Sequence, residues 1–341
     1  MKNIIISHKE DIDGLASAAF IVSYLKKDFN CKRIEIKLFD YNQFPEYLGT
    51  LNKGDFSNLF ILDLGLNDSS AKKIIDWPIN KNKTATYRRN YIDHHQFPEH
   101  LFDNIDSIKS RFNKFINPCG LNKPIGELCT ASIIYDEYFG RDTDHFNEIL
   151  ILALISDNQK LYHSSESNMK KFASKFNKYI SYYQDNNKKL LSCIHKMTCP
   201  LGWDELKKDI VESSGKVEFW FSNQYISIKN NRVESSGRKK ILASAGRIKS
   251  DDITRLLQEE FPGYDIYVGL STLNNYANIR TNMPIANIIA ESFNGGGHPR
   301  RGGFKIPPNF LQGDPQKVDS KSFLKSFLTS FENRLKLLLV D

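Results

Sequence analysis

The chain has 341 residues, enough by ordinary domain sizes for two domains with full cores, and its 40% hydrophobic and 26% charged content is that of a globular protein. No apolar run approaches the roughly 18 residues of a membrane span. The longest, ILILALI from Ile149, is far too short, and the N-terminus lacks a signal-peptide pattern, so a cytoplasmic protein with no membrane partner is expected. The formal charge of +7 suits a phosphate-bearing partner, and five scattered cysteines without a C-x-x-C pair argue against a disulfide framework or a zinc ribbon.

The first half reads as alternating strand and helix. NIIIS is a short β-branched run, and LASAAFIVSYLKKDF has helical spacing. RIEIKLFDY, LFILDLG and TYRRNYID read as strands, and TASIIYDEYFG and HFNEILILALISD as helices. Strands separated by helix-length segments predict α/β architecture, with a mostly parallel sheet covered on both faces. From Ser164 to about Gly215 the chain is helical, Lys-rich and Asn-rich, which suggests a connector and hinge. Beyond it, KVEFWFSNQYISI reads as a strand hairpin, and YDIYVGLS and YANIRTN as strands. SDDITRLLQEEF, with Ser250 as N-cap, PIANIIAESF and the C-terminal SKSFLKSFLTSFENRLKLLLV read as helices, and GGGHPRRGG as a glycine-rich loop. The expected organisation is a domain over 1–165, a helical connector over 166–215 and a smaller α/β domain over 216–341.

The acidic residues fall at the ends of apolar runs. His8, Asp11 and Asp13 follow the first, Asp63 the next strong one, Asp93, His94 and His95 a third, and Asp157 a fourth. Any one alone reads equally as a helix cap or turn residue. Together they matter, because functional residues of open α/β sheets gather outside the carboxyl ends of the strands. Several carboxylates in one crevice repel unless cations offset them. Two divalent metals sharing one bridging aspartate, about 3.5–4 Å apart, resolve the conflict. Carboxylates and imidazoles without thiolate suit Mn2+, with Mg2+ or Co2+ as alternatives.

The ordered segments SHKEDIDG, LDLG, DHH, SDNQ and a late GGGH resemble the DHH-family phosphoesterases with the DHH-associated C-terminal domain, the superfamily of oligoribonucleases and RecJ-like nucleases. One spacing departs from the pattern: Asp11 follows His8 by three residues, where oligoribonuclease-type relatives commonly place four. The resemblance implies a parallel-sheet catalytic domain and a smaller substrate-binding domain, with the active site in the cleft between them. It implies that His8, Asp11 and Asp63 hold one ion and that Asp13, Asp63, His94 and Asp157 hold the other. It gives His95 to the substrate phosphate and Asp93 to orienting the histidines. In the second domain it implies that Arg280, Gly295, Gly296, Gly297, His298 and, less directly, Arg300 grip the nucleotide. Thr130 and Ser132 start a helix, as caps or as substrate contacts.

The implied chemistry is metal-assisted attack of hydroxide on phosphorus, in line with the leaving oxygen. The substrates expected first are short RNA or DNA oligonucleotides, linear dinucleotides such as pApA, or 3′-phosphoadenosine 5′-phosphate. The alternatives are a RecJ-like 5′→3′ single-strand exonuclease, a soluble cyclic di-AMP phosphodiesterase, and a non-catalytic nucleic-acid-binding relative. An OB-type strand-tracking domain finds no room in the chain, which favours short substrates. A homodimer is compatible with all of these.

Overall fold

The computed structural model describes residues 2–29, 31, 33–40, 43–51, 56–77, 87–95, 97, 99–118, 128–139, 144–157, 167–236, 239–293, 295–307 and 320–338. The chain divides into two compact units, Met1–Val217 and Glu218–Asp341.

The first unit opens with β1 (Asn3–His8), α1 (Ile12–Phe29), β2 (Ile34–Phe39), α2 (Phe44–Leu48), β3 (Asn58–Leu62) and α3 (Asp68–Ile75). It continues with β4 (Arg88–Ile92), a short 3-10 turn leading into α4 (Ile105–Lys109), β5 (Lys114–Ile116), α5 (Thr130–Tyr138) and α6 (Asp144–Asp157). The five strands pair in parallel in the order β2-β1-β3-β4-β5. Alternate residues of each central strand enter opposite cores, as the period of two requires. Ile5, Phe60, Leu62 and Ile92 pack with α1, α5 and α6, while Ile4, Ile6, Leu59, Ile61 and Tyr91 pack with α2, α3 and α4. Each such apolar side chain contributes roughly 1.5–3 kcal/mol by burial. The central strands are therefore apolar on both faces, which is why they read as continuous runs rather than alternating ones.

The order places β2 and β3 on either side of β1, so the direction in which successive strands are added to the sheet reverses at the β1/β3 boundary. In open α/β sheets such a boundary, at the carboxyl ends of the strands, is where functional residues gather. The turn from β1 into α1 is tight. A Cβ on Gly14 would stand 2.3 Å from the carbonyl oxygen of His8. Only glycine lets the first turn of α1 lie against the end of β1.

Helices α7 (Ser167–Tyr183), α8 (Asn187–Met197) and α9 (Pro200–Asn230) follow. They are more than a tether. Ala173, Phe176, Tyr179 and Ile180 of α7, Leu190, Cys193 and Ile194 of α8, and Trp203, Leu206 and Ile210 of α9 join the core around α1. The Trp203 indole N–H and Lys207 Nζ both donate to Glu148 of α6, at 2.7 and 2.9 Å. The start of this stretch, before Ser167, lies outside the described residues.

The hairpin expected over 216–228 is instead the second half of α9. Its aromatic and β-branched content suggests a strand, but the buried residues Trp203, Leu206, Ile210, Val217, Phe221 and Ile228 recur at steps of three, four and seven. That is a helical stripe, and it decides the conformation.

The second unit carries β6 (Val233–Ser236), β7 (Lys240–Gly246), α10 (Ser250–Glu260), β8 (Ile266–Ser271), β9 (Tyr276–Thr281), α11 (Ala286–Glu291), β10 (Gly296–His298), β11 (Arg301–Lys305) and α12 (Ser320–Leu338). Its sheet has the order β10-β11-β9-β8-β7-β6, antiparallel except between β7 and β8. Two expectations change here. Ser250 is the first residue of α10 rather than its cap, the cap position being Lys249. The glycine-rich segment is a hairpin rather than a loop, pairing Gly296 with Gly303 and His298 with Arg301. A Cβ on Gly302 would stand 2.5 Å from the Ala286 carbonyl oxygen, so its glycine lets α11 press onto the hairpin. Among the described residues, no helix is long and apolar enough to cross a membrane.

An exposed glycine inside α9 tests its continuity. A Cβ at Gly215 meets nothing within 4 Å. Gly215→Ala should therefore stabilise the protein by about 0.5–1 kcal/mol through helix propensity. Equilibrium urea unfolding measures this, and destabilisation would contradict an unbroken helix at that point.

Candidate metal centre

The site is built at the carboxyl edge of the first sheet. His8 is the last residue of β1, Asp63 directly follows β3, and Asp93, His94 and His95 directly follow β4. Asp11 precedes α1, Asp13 lies in its first turn, and Asp157 closes α6. Asp157 is thus carried by the C-terminus of a helix, as the helical spacing of HFNEILILALISD predicts, and not by a strand end. A carboxylate at a helix C-terminus faces the negative end of the helix dipole, which adds to the demand for a cation.

Each acid is held from two sides. Asp11 Oδ1 accepts from the Gly14 N–H at 3.0 Å, capping α1, while Oδ2 lies 3.0 Å from His8 Nδ1. The three-residue spacing from His8 thereby still brings the pair together. Asp13 is fully buried and accepts from the first two backbone N–H groups of α5, Thr130 to Oδ2 at 2.8 Å and Ala131 to Oδ1 at 2.7 Å.

Asp63 occupies the left-handed region at φ 55°, uncommon for a residue with a side chain. Its Oδ2 lies 3.7 Å from His8 Nδ1. Its Oδ1 lies 3.4 Å from His94 Nε2 and 3.9 Å from His95 Nδ1, and accepts from the Thr130 hydroxyl at 3.1 Å. His94 Nε2 also lies 3.1 Å from Asp157 Oδ2 and 3.7 Å from Asp13 Oδ2.

Three overlapping groups result, each with one donor atom per residue all within 4.8 Å: His8, Asp11 and Asp63; Asp13, His94 and Asp157; and Asp63, His94 and His95. All six residues expected as metal ligands lie in this cluster.

The adjacent histidines divide. The side chain of His94 is 15% exposed and faces the acids, whereas that of His95 is 34% exposed. His95 Nδ1 is engaged by Asp93 Oδ1 at 2.7 Å. Asp93 is fully buried, and its Oδ2 accepts from the Tyr91 hydroxyl at 2.8 Å and from Asn117 Nδ2 at 3.2 Å. Asn117 Nδ2 also donates to the His95 carbonyl at 2.9 Å. Asp93 orients His95, with Tyr91 and Asn117 behind it.

The charges conflict strongly. Burial pushes Asp13 well above the usual carboxylate range, and the charges of Asp63 and Asp157 add to it, while His94 and the two α5 amides pull the other way. Burial also pushes Asp157 up to about 7, with His94 opposing and Asp63 and Asp11 adding. Burial opposes a charged His94, yet its hydrogen bond to Asp63 and the nearby acids raise it to about 11. Burial likewise opposes a charged His8, but Asp11, Asp63 and Glu10 outweigh it and raise its pKa well above the ordinary value. Asp63, although buried, is held far below the carboxylate range by His8 and His94.

The donor set fits divalent cations. With neutral imidazoles, Asp11, Asp13, Asp63, Asp93 and Asp157 leave five negative charges in one crevice, and two dications offset four of them. Asp157 Oδ2 is buried and accepts no hydrogen bond, as an oxygen reserved for a cation would be. Hard oxygens with imidazole nitrogens suit Mn2+ or Mg2+.

In the second unit, Arg280 on β9 donates to both oxygens of Asp251, at 2.9 and 3.0 Å. Its cross-strand partner Arg301 reaches the same carboxylate at 3.0 Å. Arg300, at the hairpin turn, is exposed. Gly295, Gly296 and Gly297 lead into the hairpin, and for His298 only the backbone is described. Asn158 and Gln159 of the SDNQ segment lie outside the described residues.

Sequence reasoning missed Tyr91, Asn117 and Asp251 and gave Thr130 no partner. Tyr91 is two residues from Asp93 and so shares its face, a signal that was present. Ser132, whose hydroxyl accepts from the Cys129 N–H at 3.1 Å, does act as a cap residue.

No known protein-family profile matches the chain, and no curated protein matches it in sequence. Solved structures do match in three dimensions. One is the DHH domain of a member of the s1p family of ribosomal proteins, with a TM-score of 0.60 at 13% identity over 98% of this chain and 86% of that one. Another is RecJ from Thermus thermophilus in complex with Mn2+, with a TM-score of 0.60 at 10% identity over 99% of this chain. The same RecJ in complex with Mg2+ gives a TM-score of 0.54 at 10% identity. The chain spans about half the length of RecJ, 52% and 49% in the two structures. At these identities the likeness concerns architecture, and the chain has the fold of the DHH-domain proteins.

Proposed function

We propose that the protein is a divalent-metal-dependent phosphoesterase that hydrolyses short nucleotides. The observation that carries this reading is the Asp63 carboxylate, one oxygen toward His8 and Asp11 and the other toward His94, within two groups of ligand-type atoms each under 4.8 Å across. His8, Asp11 and Asp63 would hold one cation, and Asp13, Asp63, His94 and Asp157 the second. When bound, such cations lower the pKa of water and offset charge on a reacting phosphoryl group.

The remaining roles belong to the chain itself. His95 turns Nε2, the nitrogen not engaged by Asp93, toward the substrate and donates a hydrogen bond to a phosphoryl oxygen. Asp93 keeps that imidazole oriented, and its charge and hydrogen bond raise the His95 pKa against the effect of burial. In the second unit, Arg280 and His298, with the backbone of Gly295 to Gly297 and with Arg300, bind the nucleotide. Phosphate takes Arg280 in exchange for Asp251. Mn2+ is the favoured ion from the donor set, and the RecJ likeness, in complexes named for Mn2+ and Mg2+, supports a divalent cation.

The same likeness favours one second reading, a 5′→3′ single-strand exonuclease. Incubation with Mn2+ and labelled RNA from dimers to 24-mers, matched DNA, cyclic di-AMP and 3′-phosphoadenosine 5′-phosphate separates the two. Mononucleotide release chiefly from two- to five-mers is expected, and processive degradation of long DNA from its 5′ end would favour the exonuclease.

Two variants divide the roles. Asp63→Ala should lose metal, measured by elemental analysis after dialysis, and lower kcat by at least about a thousandfold. His95→Ala should keep its metal and lower kcat by roughly a hundred- to ten-thousandfold. Normal turnover in the first, or metal loss in the second, contradicts the assignment.

Proton linkage gives a further check. A cation needs Asp157 ionised and His94 neutral, so binding releases protons and strengthens as pH rises. Asp157, near 7, should by itself make Mn2+ affinity increase about tenfold from pH 6 to pH 8, and the proton that His94 gives up from its pKa of about 11 should steepen the rise further. Titration calorimetry in buffers of different ionisation enthalpy measures both quantities, and a pH-independent affinity would contradict direct ligation by these residues.

A further inference from the structure

The first turn of α5 does more than begin a helix. Its two leading amides fix Asp13, and its first side chain, Thr130, is fully buried with its hydroxyl on Asp63 Oδ1 at 3.1 Å. Rotation of a carboxylate about its terminal bond is soft and roughly two-fold. A carboxylate that serves two cations through separate oxygens has only a narrow useful range of that rotation. His8 contacts Oδ2 and His94 contacts Oδ1, but both imidazoles would turn their nitrogens to cations on loading and so cease to orient it. Among the described residues, the side-chain contacts to the Asp63 carboxylate are His8, His94, the more distant His95 Nδ1 at 3.9 Å and the Thr130 hydroxyl, and of these the hydroxyl is not itself a ligand-type group. It is also stiff, being β-branched and anchored through its own N–H to Asp13.

We infer that Thr130 is a positioning residue that sets the plane of the Asp63 carboxylate, so that its two oxygens face two different cation positions. This rests on the two-cation reading above. Thr130 touches no substrate and supplies no ligand; it acts through Asp63. Because Asp13 is held by backbone amides, replacing the Thr130 side chain leaves that second acid in place. The inference therefore predicts a selective loss, confined to what Asp63 does.

The test compares Thr130→Val, which keeps shape and loses the hydroxyl, with Thr130→Ser, which keeps the hydroxyl. Mn2+ binding to the metal-free protein is measured by titration calorimetry, thermal midpoints are recorded without metal, and kcat and KM are taken at saturating Mn2+. Thr130→Val should bind Mn2+ about 10- to 100-fold more weakly, the range for lost partners of metal ligands. Its kcat should fall, with KM for the nucleotide within about threefold of wild type, again as for a residue that acts on the metal ligand rather than on substrate. Thr130→Ser should restore Mn2+ affinity to within about threefold. If Thr130→Val does not fold, Thr130→Ala removes the same hydroxyl without adding volume and carries the same expectation. A variant without the hydroxyl that binds Mn2+ like the wild type, or a serine variant as impaired as valine, overturns the role. A wild-type protein that binds no divalent cation overturns the two-cation reading and the role of Thr130 with it, so the two failures are distinguishable.

Discussion

The repulsion among buried carboxylates at one sheet edge is the constraint to which the first unit answers. Asp13, Asp63 and Asp93 are essentially removed from water, where an unpaired charge costs several kcal/mol. Each has been given compensation of a different kind. Asp13 has backbone amides at a helix start, Asp93 has a tyrosine, an asparagine and a histidine, and Asp63 has two histidines and a threonine. The partners of Asp93, namely Tyr91, Asn117 and His95, lie outside the proposed ligand set. Asp13 and Asp63 lie beside imidazoles that would give up their protons to the proposed cations, which would divide the site into a support and an exchangeable centre.

The second unit applies similar logic with the signs reversed. Arg280 and Arg301, cross-strand neighbours, would repel were Asp251 not placed between them. Asp251 stands in the first turn of α10, where a negative charge is favoured by the helix dipole. An anion arriving at Arg280 exchanges one carboxylate for another negative group, so the gain lies in the difference between the two and not in the full strength of the contact.

Much of this was legible in the sequence, because the sheet is buried on both faces. Continuous apolar runs ending in acids marked β1, β3 and β4, and the spacing of His8, Asp63 and Asp93 followed from where those runs stop. Legibility failed where two periodicities compete. The segment 216–228 is rich in aromatic and β-branched residues, and only the stripe from Trp203 to Ile228, read over a longer window, reveals the helix. It failed again where an element is too short for any pattern, as at β5, whose three residues deliver Asn117 to the site edge. Partners far apart in sequence were the third kind of loss. Thr130 is 67 residues from Asp63, and no local signal joins them.

The left-handed backbone at Asp63 constrains what evolution can do at that position. Few residues besides glycine hold such a conformation at low cost, and asparagine and aspartate are the foremost of them. Aspartate codons are one base away from both asparagine and glycine. The position on which the whole centre depends is therefore also one where its chemistry can be erased while the main chain keeps its course. On the proposed reading, a single nucleotide change at this position would remove the carboxylate shared by the two cations while leaving a residue suited to the same backbone.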